Sequence, residues 1–305
     1  MNKTIALLII TSLIIGFSAC KTNNEKFNNA EYQKSISLWK QKRLENLKSE
    51  KGWLNLVGLY WLNEGKNTFG SDTKNNIVFP DNAPKSIGSI FLFKEHISIK
   101  INADIDVFIN DSLTKQASVY SDADENTTHF KLNSFKWYII KRGNRYGIRL
   151  RDLESPLISK INEIPAFPVD CKWRIQCRFE KFDTPEEIEV PNVLGESDTE
   201  KCYGLLKFEI DGKEHALRPL GDGINQNFFV IFADATSTIE TYGTGRFLSV
   251  EKPNKKGITY IDFNKATNPP CAFTQYATCP LPPKGNILTA KITAGEKTGP
   301  HIGHH

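Results

Sequence analysis

Two cysteines near the C-terminal end bracket a short segment, Cys271-Ala-Phe-Thr-Gln-Tyr-Ala-Thr-Cys279. Pro269 and Pro270 precede it, and Pro280, Pro282 and Pro283 come after it. Proline fixes φ and removes a backbone donor, so this density of prolines excludes a regular helix or a central strand and makes the segment a shaped loop. In an oxidising compartment the two thiols could close the loop as a disulfide; the sequence leaves that open against two separate buried thiols. Upstream, Arg246 sits among Tyr242, Gly243, Gly245 and Phe247. Glycine permits close backbone approach there, and a guanidinium can hold a carboxylate or phosphate through two parallel bonds. Asp262 alternates with Ile261 and Phe263 and so faces away from them. Asn264, Asn268, Thr274 and Thr278 decorate the chain beyond that strand.

The candidate ligand-binding residues are therefore Arg246, Asp262, Asn264, Asn268, Cys271, Thr274, Thr278 and Cys279, expected to line one pocket at the end of a sheet. The same residues also fit an Arg246–Asp262 ion pair that organises a long irregular loop, with asparagines capping its turns. A nucleophilic Cys271 would need a base, and His215, beside the turn-like Asp211-Gly-Lys213, is the nearest histidine upstream. No catalytic residue is assigned on that basis. The chain has no Cys-x-x-Cys, and no nucleotide, zinc-protease or serine-hydrolase signature, so no metal or cofactor is expected.

The elements that must position these residues read as mainly β. Residues 29–50 carry Tyr32, Ile36, Trp39, Leu44 and Leu47 near a helical period. From Gly52 onward the pattern is short strands with turn signals: 53–62, the alternating Ile97, Ile99 and Ile101, then 137–140 and 146–150. The segment 168–180 alternates Cys171, Trp173, Ile175, Cys177 and Phe179 with polar residues and reads as one strand, its two cysteines too far apart to bridge. Residues 183–198, rich in Glu and Pro, read as a loop or edge excursion. Strands are expected at 228–233, 257–263 and 286–294, and an exposed tail at 299–305.

The chain has 305 residues, 39% hydrophobic and 24% charged, which allows one large or two ordinary domains with their own cores. Its formal net charge of +4 is too weak and scattered to suggest a nucleic-acid partner. Residues 1–19 form a basic, apolar, small-residue series too short to span a bilayer, and Cys20 follows Ser18-Ala19. This resembles the lipobox of bacterial lipoproteins, which implies that Cys20 is acylated and anchors the chain to membrane lipid. Lys21 stands where the inner-membrane retention signal would place Asp, which implies the outer membrane in a cell with two. Residues 20–28 then serve as a tether.

A wider resemblance rests on Gly52-Trp-Leu54, Gly58-Leu-Tyr-Trp-Leu62, Asn67-Thr-Phe-Gly-Ser71, Arg149-Leu-Arg-Asp152, Tyr242–Leu248, Ile261-Asp-Phe-Asn264, the block Asn268–Pro283, and Ala294-Gly-Glu296. Together these resemble the domain-of-unknown-function family 1684, some members of which carry a lipoprotein signal. Gln275 and Thr267 depart from its common pattern. Within the first half, Thr68-Phe-Gly-Ser71, Asn75–Pro80, Val107–Asp111 and the strand Tyr138–Arg142 resemble a forkhead-associated β-sandwich. Ser71 stands where that fold places its phosphate-binding Arg, so the resemblance implies the sandwich and not phosphopeptide binding.

The expected architecture is an N-terminal helix packed on a forkhead-associated-like β-sandwich over 29–152, then a second β-rich sheet or barrel unit over 153–298. The expected function is that of a lipid-anchored envelope protein binding a small or carbohydrate-like ligand at the Arg246/Asp262/Cys271–Cys279 loop. A hydrolytic enzyme using the same loop, or a structural envelope component, are the alternatives.

Overall fold

The computed structural model describes residues 28–302, so the signal, Cys20 and the lipid anchor lie outside the described residues, as do His304 and His305. The first element, α1 (Asn29–Lys48), starts where the Asn28 side chain accepts from the N–H groups of Ala30 and Glu31. Glu31 in its first turn and Lys48 in its last complement the helix dipole. Tyr32, Ile36 and Leu47 are its buried residues and share one side of the helix.

Eleven strands come next: β1 (Leu56–Trp61), β2 (Gly65–Gly70), β3 (Ile77–Val78), β4 (Gly88–Phe93), β5 (His96–Ile101), β6 (Phe108–Ile109), β7 (Ser112–Leu113), β8 (Gln116–Val119), β9 (His129–Leu132), β10 (Phe135–Arg142) and β11 (Arg145–Asp152). They form a six-stranded sheet ordered β1-β11-β10-β9-β6-β7 and a five-stranded sheet ordered β3-β2-β4-β5-β8. One core joins the two: Ile90, Ile97 and Ile99 from the second sheet pack with Trp137, Ile148 and Leu150 from the first. This is the expected sandwich.

The second unit begins with a short helix, α2 (Pro156–Lys160), for which the sequence pattern carries no helical period. It continues through β12 (Arg174–Pro191), β13 (Ser197–Ile210), β14 (Lys213–Leu217), β15 (Phe228–Phe232), β16 (Arg246–Val250) and β17 (Ile258–Asp262). A four-stranded sheet β14-β13-β12-β17 and the pair β15-β16 enclose a core of Leu206, Phe208, Val230, Phe232, Leu248, Ile261 and Phe263. The protein is mainly β with one long N-terminal helix, as the sequence reads.

Several expectations are corrected. Residues 183–198 are mostly a two-stranded arm: Glu186–Pro191 pairs with Cys202–Ser197 across a short turn, after an irregularity between Lys181 and Glu186. Conversely, 286–294 forms no strand: it meets the end of β15 at a single bridge, Ala233–Ile287, and the side chains of Asp234 and Arg246 hold its backbone at 292–294. Cys171 and Trp173 precede β12 in a single 3-10 turn capped by the Asp170 side chain, so the alternation starts only at Arg174. The tail is not exposed throughout, because Ile302 is buried with Leu47, Leu54, Ile161 and Phe273. The helix also docks differently from the expected packing on the sandwich. Its hydrogen bonds run to the second unit, from Gln33 to the Val169 carbonyl and from Arg43 to the Asn268 carbonyl and Glu296.

Candidate functional site

Arg246 opens β16 opposite Phe232, the last residue of β15. Gly245 before it has φ +96°, and a Cβ there would lie 2.5 Å from the Phe232 carbonyl oxygen, so the turn into β16 requires glycine. The Arg246 side chain is fully buried. It donates through Nη2 to Asp234 Oδ1 at 3.0 Å and to the Ile292 carbonyl at 3.3 Å, and through Nη1 to the Ala294 carbonyl. Asp234 in turn accepts from the Ile292 N–H and from Thr236. Burial lowers the Arg246 guanidinium from its ordinary range while Asp234 pulls the other way. The carboxylate partner is thus Asp234 rather than Asp262, and the pair holds residues 292–294 in place of a strand ladder.

Asp262 ends β17 and caps the 3-10 turn Phe263–Lys265 by accepting from the Asn264 N–H. Its Oδ1 also accepts from the Tyr32 hydroxyl at 2.7 Å. Burial, and next the Asp262 charge, push the Tyr32 hydroxyl well above its ordinary range, so it stays protonated and donating. Asn264 donates to Tyr32 Oη and to the Asp170 carbonyl, and accepts from the Asp170 N–H. Asn268 donates its N–H to Glu296 and its side-chain amide to the Lys297 carbonyl, while its Oδ1 is buried without a partner. Glu296 takes its cation from α1, accepting from Arg43 Nε at 3.0 Å.

Cys271 and Cys279 form a disulfide across the proline-flanked loop. The Cys271 sulfur is therefore held in a covalent bond rather than available as a thiolate nucleophile. His215 stacks on Phe208, within the β13–β14 hairpin. Thr274 donates to the Leu56 carbonyl at 3.0 Å, and Thr278 Oγ1 accepts from Arg149 at 3.2 Å and Arg142 at 3.4 Å. Both threonines thus face the sandwich. The eight nominated residues do not line one cavity: Arg246 is enclosed, Asp262, Asn264 and Asn268 bind helix and turn, and the threonines seam the two units.

A cavity of about 360 Å³ opens beside them, between α1 and residues 162–166. Trp39, Lys40 and Leu44 line it from the helix, Asn162 and Ile164 from the facing segment, with Asn264 and Glu296 also in its wall. Burial lowers the Lys40 ammonium from its ordinary range while Glu296 pulls the other way. Sequence reasoning misses Trp39, Lys40 and Glu296 as site residues. Trp39 stands in the helical stripe, where an aromatic reads as docking surface, and Glu296 stands in the Ala294-Gly-Glu296 motif with nothing nearby in sequence to give it a role.

Residues 159–297 match the model of the family described as protein of unknown function (DUF1684), which is the resemblance read from the Pro-Cys block. No curated protein sequence matches the chain. Among solved structures, the chain is similar to an uncharacterised protein of Haloarcula marismortui, with 28% identity and a TM-score of 0.38 over 46% of this chain and 78% of that one. An FHA domain complexed with the intracellular domain of a second protein matches at 13% identity and a TM-score of 0.22, over 30% of this chain and 97% of that domain. Mycobacterium tuberculosis EmbR in complex with a low affinity phosphopeptide matches at 10% identity and a TM-score of 0.22, over 40% of this chain and 31% of that one.

Proposed function

We propose that the chain is a lipid-anchored protein of a bacterial cell envelope that holds a small, carbohydrate-like ligand in the cavity between α1 and residues 162–166. The observation that carries this reading is the chemistry of the cavity lining. The Trp39 indole offers an apolar face, Gln41, Asn162 and Asn264 offer amides, and Lys40 and Arg43 are matched in number by Glu163 and Glu296. A neutral ligand with one apolar face and a rim of hydroxyls suits such a lining, and the volume falls in the range of small-molecule sites. The site lies at the edge of the Pro-Cys region, where the Asn268 N–H donates to Glu296. The Ser18-Ala19-Cys20 signal supports the anchor, with Cys20 acylated and the outer membrane favoured where the cell has two.

Titration calorimetry of the soluble chain against a panel of neutral mono- and disaccharides tests the binding. One of them binds saturably, and Trp39→Ala weakens it by about tenfold, the loss of a stacked aromatic contact. A panel that binds nowhere, or binds Trp39→Ala as tightly as wild type, returns the chain to a structural envelope role. Intact-mass spectrometry of the membrane-extracted protein tests the anchor through the acyl mass that Cys20→Ser abolishes.

A further inference from the structure

The outward face of the six-stranded sheet carries charge in an arrangement the cavity under α1 does not explain. Along β11, Ile148 and Leu150 enter the sandwich core, so Arg149 and Arg151 stand on the opposite face. Register then fixes their neighbours. Arg151 is opposite Lys136 on β10, and Lys136 is opposite Lys131 on β9. In the next row Arg149 is opposite Tyr138, which is opposite His129. Three cations in one row across three adjacent strands repel each other, since directly opposed side chains lie only about 5 Å apart at Cβ.

Counter-charges in the protein do not cancel this row. Glu50 pairs with Lys136 from the rim. Arg149 and Arg151 are 5% and 9% exposed, yet among the described residues neither makes an ion pair; both lie over the Trp53 ring and their bonds go to neutral oxygens. Arg151 donates to the Gly52 carbonyl and to Asn55 Oδ1, Arg149 to Tyr138 and Thr278, and Arg149 Nε is buried with no partner. Buried guanidinium groups are ordinarily paired, because desolvating a charge without a counter-ion is costly. In front of this row lies a cleft of about 670 Å³ whose lining includes Lys51, Lys131, Lys136 and Arg151 against Glu50 and Asp111. Tyr138 and His129, with ring centroids 5.6 Å apart, also line it.

We propose that this cleft is a second binding site, for a small, multiply charged oxyanion ligand of the phosphate or pyrophosphate kind, seated on the row Lys131–Lys136–Arg151 beside Tyr138. The ligand supplies the charge that the row lacks, and the guanidinium fork of Arg151 and the two ammonium groups donate to its oxygens.

The test is titration calorimetry of the soluble chain with pyrophosphate, with acetate as the monoanionic probe. Arg151→Gln is a poor variant because Arg151 also holds the Gly52 and Asn55 region. The double variant Lys131→Gln, Lys136→Gln changes side chains at the rim instead, and Lys100→Gln on the other sheet is the control. Pyrophosphate binds wild type and the control saturably and alike, more weakly as salt rises, and binds the double variant about tenfold or more weaker. Absence of saturable binding to wild type, equal binding by the double variant, equal loss in the control, or acetate binding as tightly as pyrophosphate would each overturn the proposal.

Discussion

Arg246 shows how far a single residue can be read from its neighbours in sequence. Its importance is legible, because an arginine amid Tyr242, Gly243 and Gly245 is an unusual neighbourhood. Its partner is not. Asp234 follows the apolar run of β15, and only the pairing of Phe232 with Arg246 brings the two together. Asp262 is the nearer carboxylate by motif, but it is engaged by the Tyr32 hydroxyl and its own turn. Because the Arg246–Asp234 pair is wholly enclosed, removing one member strands the other charge. Arg246→Met is expected to lower unfolding free energy by about 3–5 kcal/mol in a urea titration. A loss below about 1 kcal/mol would mean the pair is solvated and the segment 292–294 holds itself.

At the scale of elements, legibility tracks burial on one face. The helix α1 and the strand β5 have one apolar side each, and their periods announce them. The arm of β12 and β13 beyond Lys181 has Glu and Thr on both sides and mostly exposed residues, so period two leaves no trace in its composition. The stretch 286–294 misleads the opposite way. Its alternate residues Asn286, Leu288, Ile292 and Ala294 are buried, but it meets the end of β15 at one bridge, Ala233–Ile287, and the Arg246–Asp234 pair satisfies its backbone at 292–294. The long strands of that arm carry the free thiols, Cys177 on β12 and Cys202 on β13. Burial pushes the Cys177 thiol up to about 12, and Cys202 in the same direction. Neither should react with iodoacetamide at about pH 8 until the protein is unfolded, when both do. Mass spectrometry after a timed pulse reads this directly, and rapid labelling of the folded chain would show that the sheet opens there.

For the molecule as a whole, two cores are joined by polar seams that a sequence cannot display, since their members lie far apart in the chain. Tyr32 reaches Asp262, Arg43 reaches Glu296, and Thr274 reaches the Leu56 carbonyl. Buried tyrosine hydroxyls, Tyr32 in a seam and Tyr60 against the sandwich core, give the protein a dependence on alkaline pH. Burial raises the Tyr60 hydroxyl from 10.0 to about 12, and Tyr32 moves the same way, driven first by burial and then by Asp262. A raised pKa means the folded state holds its proton more tightly than the unfolded chain. The resulting stability is fully present below about pH 10 and is lost as pH rises through about 12. Guanidinium midpoints should therefore fall across that window, with tyrosinate absorbance from these rings appearing only as the fold is lost.

The N-terminal helix α1 has a consequence for where this protein can be divided. The span that matches the family model, 159–297, ends before Ile302 and begins well after Tyr32, Arg43 and Leu56. Excised alone, it would leave Asp262 without its phenol, Glu296 without its guanidinium and Phe273 without Leu47 and Leu54 over it. The matched span is thus smaller than the region whose contacts depend on one another, and recombinant fragments of this chain should be cut ahead of Asn28 rather than at the edge of that match.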